Sequence, residues 1–308
     1  MRHLSNEFMA ELKKNSLNPL LKYVKNDNTL DLEIRENYIN IYYRGGNLLK
    51  VSQKKSRYEF DFDEKYLNKN LPAHLSHVIP HFKKHADWDN YIPLAKQAMD
   101  FYFTNNKKEE REFQQLVVRE NNNSSIANGT DYFIIDIEYD NQDNARFDLV
   151  AVEWPSDASF RKLSKNFKPK LVVFEMKYGD GAMKGKAGIN KHISDFNSFK
   201  ANSIKYCDFK NEMLGILKQK RELGLIPCLS ETGNNNQVKE FSDDIEMIFL
   251  LANHDPASKI LNDELSALSD PDLKFITSSF MGYGLYLESV FNLSSFLNRY
   301  NRQIYSEV

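Results

Sequence analysis

The chain has 308 residues, 41% hydrophobic and 27% charged, a composition ordinary for a globular protein with room for one large domain or two small ones. No stretch approaches the ~20 consecutive apolar residues that a membrane helix needs, and the opening residues carry no apolar signal core. Cys207 and Cys228 lack ligand spacing and read as reduced thiols of a cytosolic protein. The net charge of −2 gives none of the basic surplus usual in a nucleic-acid binder, so any basic surface has to be local.

In chain order, residues 6–24 read as helical. Residues 38–43 and 48–51 read as two strands joined through Arg44-Gly45-Gly46-Asn47, a hairpin whose glycines supply the positive φ of the turn. Residues 58–62 add a strand, and 89–103 a helix. These elements form an N-terminal α+β module over residues 1–105. His74, His77, His81 and His85 fall at helix-like spacings within it, but Pro80 interrupts them and no cysteine or nearby acid completes a clear ligand set, so they read as a surface or helix-packing cluster.

Residues 106–308 have a more regular order. A helix is expected over 109–119, with Phe113, Leu116 and Val117 on one face. Strands follow at 132–137, 146–153 and 171–178, the first two joined by a turn at 141–144 and the last two by a polar connection at 155–169. A glycine-rich turn (Gly179, Gly181, Gly185, Gly188) precedes a helical region from 189 to 223. A buried strand at 245–251, a short helix at 258–268, a strand at 274–277 and a closing helix at 287–300 complete the series.

The most informative segment is Leu171-Val172-Val173-Phe174-Glu175-Met176-Lys177. Four apolar residues run into an acid and a lysine two apart, so both side chains leave an extended strand on one face. A carboxylate and an ammonium at the end of a buried strand are costly unless something polar shares the space. Asp148 is the one acid in the apolar run 147–152 upstream. Glu-x-Lys and Asp-x-Lys recur elsewhere, but only this copy ends an apolar run with an acid-bearing strand before it. From Arg161 to Lys191 nine basic residues stand against two acids, a stretch that brackets Glu175 and would attract a phosphate backbone.

An aspartate in one strand, a long connection and then Glu-x-Lys at the end of the next resembles the PD-(D/E)xK nuclease superfamily. The resemblance covers roughly residues 107–277 and implies an α/β fold: a restriction-endonuclease-like αβββαβ core, with a mixed central sheet flanked by helices, beside the N-terminal α+β module. It implies hydrolysis of phosphodiester bonds with Mg²⁺ or Mn²⁺. Asp148, Glu175 and the backbone carbonyl of Met176 would be the metal ligands, and Lys177 would act on the attacking water or the transition state. Glu112, on the helix before the first strand, is the choice for the helix glutamate many members carry; Glu109 and Glu120 are its alternatives. Phe147 stands where the motif's name has proline. The glutamine that exonuclease-like branches place on the following helix is absent from Ile189-Asn190-Lys191-His192-Ile193. Lys184, Lys186, Lys191 and His192 are the candidate phosphate contacts.

The expected partner is nucleic acid, DNA foremost, cut by an endonuclease of bacterial defence, mobile-element or repair type. A homodimer would supply the two sites that cutting both strands requires. Two other readings remain: a nuclease-like module that holds nucleic acid or a partner protein without cutting, and an unrelated α/β protein in which Glu175 and Lys177 are only a strand-end ion pair.

Overall fold

The computed structural model describes the chain apart from residues 56, 68–70, 79, 125, 141–145, 158–167, 184–187, 230–237, 256–257, 280–281 and 306–308. It is an α/β protein with two sheets, and its residues divide into two compact units: Met1–Ser124 with Gly215–Gly233, and Ser125–Leu214 with Asn234–Val308.

In the first unit, Ser5 caps helix α1 (Asn6–Lys14) by accepting the N–H of Phe8 at 3.1 Å. The helix expected over 6–24 is two helices, because Pro19, which lacks an N–H, sits in the first turn of a second, α2 (Asn18–Asn26). Five antiparallel strands follow in sequence order: β1 (Leu30–Ile34), β2 (Tyr38–Tyr43), β3 (Gly46–Lys54), β4 (Arg57–Asp61) and β5 (His81–Phe82). Helix α3 (Trp88–Asn105) buries Trp88, Ile92, Ala95, Met99 and Phe103, an i, i+4, i+7 stripe, in the same core as Leu32, Ile41, Val51 and Phe60.

The unit also takes in helix α4 (Glu109–Asn122), beyond the boundary expected at 105/106. Buried Gln115 explains why. Its side chain accepts the N–H of Gly45 at 2.7 Å and donates to the carbonyls of Thr29 (2.9 Å) and Tyr42 (3.0 Å), tying α4 to β2 and to the entry of β1. Gly45, at φ +68°, lies so close to α4 that an added Cβ would fall 2.4 Å from the carbonyl carbon of Arg111. Of the four spaced histidines, His74 lies 3.4 Å from Gln97, His81 contacts Asp61 and His85 meets the Phe60 ring edge-on.

The second unit is built on a six-stranded mixed sheet: β6 (Tyr132–Asp140), β7 (Arg146–Glu153), β8 (Leu171–Tyr178), β9 (Ile245–Ala252), β10 (Lys274–Ser278) and β11 (Phe291–Asn292), adjacent in that order. The first three are antiparallel; β9 runs parallel to β8 and β10 parallel to β9; β11 returns antiparallel. The strand bounds read from β7 to β10 agree with the sequence to within a residue, and the interiors of β7, β8 and β9 are mostly apolar runs.

The helical region read over 189–223 is two helices, α5 (Ile189–Ala201) and α6 (Ser203–Leu223), parted at Asn202, whose side chain caps the second by accepting the N–H of Lys205 at 3.1 Å. Residues of α6 fall in both units. Helix α7 (Lys259–Ser266), capped by Ser258, connects the parallel strands β9 and β10, and α8 (Leu293–Tyr305) begins later than the helix expected from 287, after β11. Phe249, Leu251, Leu261, Leu265, Phe275 and Phe296 form one core of this unit. Cys207 and Cys228 are exposed and not joined in a disulfide, and no helix among the described residues is long and apolar enough to cross a membrane.

Candidate active site

Strand β8 is interior to the sheet, between β7 and β9, and seven of its eight residues are buried. Glu175 and Lys177 are each 5% exposed although both are charged. Their burial is made tolerable by each other: Lys177 Nζ donates to Glu175 Oε1 at 2.9 Å.

Asp148 reaches the same place from the neighbouring strand. The β7–β8 ladder pairs Leu149 with Phe174; one further step sets Asp148 across from Glu175, and cross-strand partners project from the same face. The Asp148 carboxylate is anchored there, since its Oδ2 accepts the N–H of Met176 at 2.7 Å.

A further side chain arrives from α5. His192 Nε2 lies 2.9 Å from Glu175 Oε1, the oxygen that also takes Lys177. The approach misses hydrogen-bond alignment, and Nε2 is buried with no hydrogen-bond partner among the described residues. His192, a candidate phosphate contact from the sequence, lies against the Glu175 carboxylate. Beyond β8, Gly179 turns the chain in a left-handed conformation (φ +64°), and Asp180 Oδ1 is buried without a hydrogen-bond partner among the described residues. Just past β9, burial holds the His254 imidazole below its ordinary value, against the pull of the Asp180 and Asp255 charges. Asp180 and His254 thus follow the carboxyl ends of two parallel strands, where open α/β sheets commonly place ligands. The sequence reads His254-Asp255 as a loop after a strand and gives Asp180 no role; each lies two residues past its strand.

The second unit therefore brings together Asp148, Glu175, Lys177 and His192. Glu112 belongs to the first unit, where Arg44 binds its carboxylate through Nε at 2.8 Å and Nη2 at 3.2 Å. Lys184 and Lys186 lie outside the described residues, as do Arg161, Lys162 and Lys165 and the turn expected at 141–144. Of the rest of the basic stretch, Lys168 pairs with Glu240, Lys170 with Glu153 and Glu246, and Lys191 with Asp195. Acids from elsewhere in the chain thus neutralise part of the positive charge that the sequence suggests.

Asp148 and Glu175 are oxygen donors of the kind a hard cation takes, carried on adjacent strands and linked through the Met176 amide. No group of three or more His, Cys, Asp or Glu residues that could hold a metal occurs among the described residues. Searches of protein-family models, curated proteins and solved structures found no match to this chain.

Proposed function

We propose that this chain is a divalent-metal-dependent nuclease built on the restriction-endonuclease-like αβββαβ core, with DNA as its substrate. The observation that carries the reading is the link from Asp148 to the amide between Glu175 and Lys177. It joins the upstream acid to the Glu-x-Lys strand, as the motif requires. The order β6–β7–β8, a helical crossover and then parallel β9 supports the core.

Asp148, Glu175 and the Met176 carbonyl would hold Mg²⁺ or Mn²⁺. The ion would neutralise phosphate charge and lower the pKa of a bound water. The remaining roles belong to the side chains. The Met176 N–H fixes the aim of Asp148. Lys177 places an ammonium beside Glu175, where it can orient the attacking water or meet the charge that develops on the phosphate. His192 packs its Nε2 against the same carboxylate oxygen and limits how Glu175 can turn. A homodimer would provide one such site for each strand of a duplex.

The test pairs metal titration with cleavage. Calorimetry should show Mn²⁺ binding that disappears in Asp148→Asn and in Glu175→Gln, and the same variants should lose Mg²⁺-dependent cutting of duplex DNA. Metal binding unaffected by both substitutions would overturn the assignment.

A further inference from the structure

The first unit holds a cavity of about 350 Å³, large enough for a small-molecule ligand, whose wall includes Tyr43, Arg44, Asp100, Glu112, Leu116 and Arg119. Arg44 enters it from the turn between β2 and β3. That turn has two residues, Arg44 at φ +50° and Gly45 at φ +68°, flanked by the Tyr43–Gly46 pair. Hairpin turns with two positive φ angles favour Asn, Asp or Gly at the first position, because a left-handed backbone crowds other side chains. Arginine departs from that preference, and strained positions of this kind cluster at ligand sites. Its guanidinium binds Asp100 at 2.9 Å and Glu112 at 2.8 Å, and the Tyr43 hydroxyl donates to Asp100 at 3.1 Å.

An ion-pair clasp alone would be structural, and the cavity holds more than that. One arginine serves two carboxylates, which leaves this end acidic. Arg119 lines the same cavity and makes no ion pair or side-chain hydrogen bond among the described residues. Glu112, Leu116 and Arg119 are spaced i, i+4, i+7 on α4, so they share a face. The acid and the free cation are separated by about 10 Å of helix, with an apolar side chain between them.

We propose that this cavity binds a small bipolar molecule. Such a ligand presents N–H donors to Asp100 and Glu112, lays a planar or apolar body over Leu116 and sets an anion against Arg119. A nucleoside monophosphate has this chemistry: base amino and imino groups at one end, a phosphate at the other. The site is independent of the reading of Asp148 and Glu175.

The experiment is calorimetric titration of the full chain in EDTA with adenosine 5′-monophosphate, guanosine 5′-monophosphate and inorganic phosphate, with thermal unfolding to confirm that each variant is folded. Saturable binding of at least one nucleotide is expected, at least tenfold tighter than phosphate. It should weaken at least tenfold in folded Arg119→Gln or Glu112→Gln and stay unchanged in Lys177→Ala. Any of three results would overturn the proposal: no nucleotide bound by the folded chain, affinity no better than that of phosphate, or binding lost in Lys177→Ala but kept in the two cavity variants.

Discussion

The Asp148 carboxylate accepts the backbone N–H of Met176 at 2.7 Å, and Met176 is the residue that separates Glu175 from Lys177. A side chain of β7 one residue beyond Leu149 is thereby fixed to the backbone of β8 two residues beyond Phe174, the last paired residues being Leu149 and Phe174. The bond fixes the aspartate against the Glu175–Lys177 segment, the placement that the proposed metal site would use.

His192 touches Glu175, and in the proposed metal site it would steady that carboxylate. Removing a side chain that steadies a metal-binding carboxylate commonly weakens metal affinity by about 10–100-fold. His192→Ala should therefore raise the dissociation constant for Mn²⁺ by that order while leaving the unfolding temperature nearly unchanged. An unaltered affinity would make the contact incidental.

Lys220 of α6 is 1% exposed and donates to the fully buried Glu33 of β1 at 2.7 Å, with Arg35 Nη1 3.6 Å from the other carboxylate oxygen. Lys220→Met leaves that carboxylate in the interior without its closest cation. Breaking a buried pair from one side typically costs about 3–5 kcal/mol, whereas replacing both partners with apolar residues is close to neutral. Chemical denaturation should show Lys220→Met strongly destabilised and the double substitution Glu33→Leu with Lys220→Met recovering most of the loss.

Gly45→Ala should destabilise the first unit by at least about 1–3 kcal/mol from the positive φ alone. A Cβ there would also meet the Arg111 backbone, which cannot move aside as a flexible side chain can. Gly129, which has nothing within 4 Å of an added Cβ, is the control, and its alanine variant should stay within about 0.5 kcal/mol of the parent. Thermal unfolding of both variants makes the comparison.

Burial disfavours the charge on Asp27, but hydrogen bonds from Lys96 and Thr29 outweigh it and hold the carboxyl below its ordinary value of 3.8. A depressed folded value means the stabilisation is complete above the unfolded value and is lost as pH falls through the folded one. Asp27→Asn should therefore show its full deficit against the parent near neutral pH, and the two unfolding curves should converge below about pH 4. A deficit that stayed constant down to pH 2 would show that the ionised carboxylate is not the source.

Much of the second unit is legible in the sequence for one physical reason. Strands buried on both faces are mostly apolar, so Leu171–Tyr178 and Ile245–Ala252 stand out, and the buried charges of Glu175 and Lys177 stand out within the first. Where a decision rests on one residue, legibility fails. Pro19 and Asn202 each part what reads as a single helix. Strand β1, Leu-Asp-Leu-Glu-Ile, alternates as a half-exposed strand would, yet its charged side is buried because Lys220, nearly two hundred residues away, supplies the counter-charge. The ion pair of Glu112 is illegible for the same reason: its partner Arg44 lies in a different turn of the chain, and no local pattern announces it. His192 was visible as a candidate, but its contact with Glu175 depends on where α5 comes to rest.

The most direct test of the nuclease reading is incubation of the purified protein with plasmid, linear duplex, single-stranded DNA and RNA in Mg²⁺ or Mn²⁺, beside Lys177→Ala and an EDTA control. The account predicts metal-dependent cutting of duplex DNA that is lost in both controls. Cutting that survives Lys177→Ala, or no cutting of any substrate by a folded protein with metal present, would contradict it.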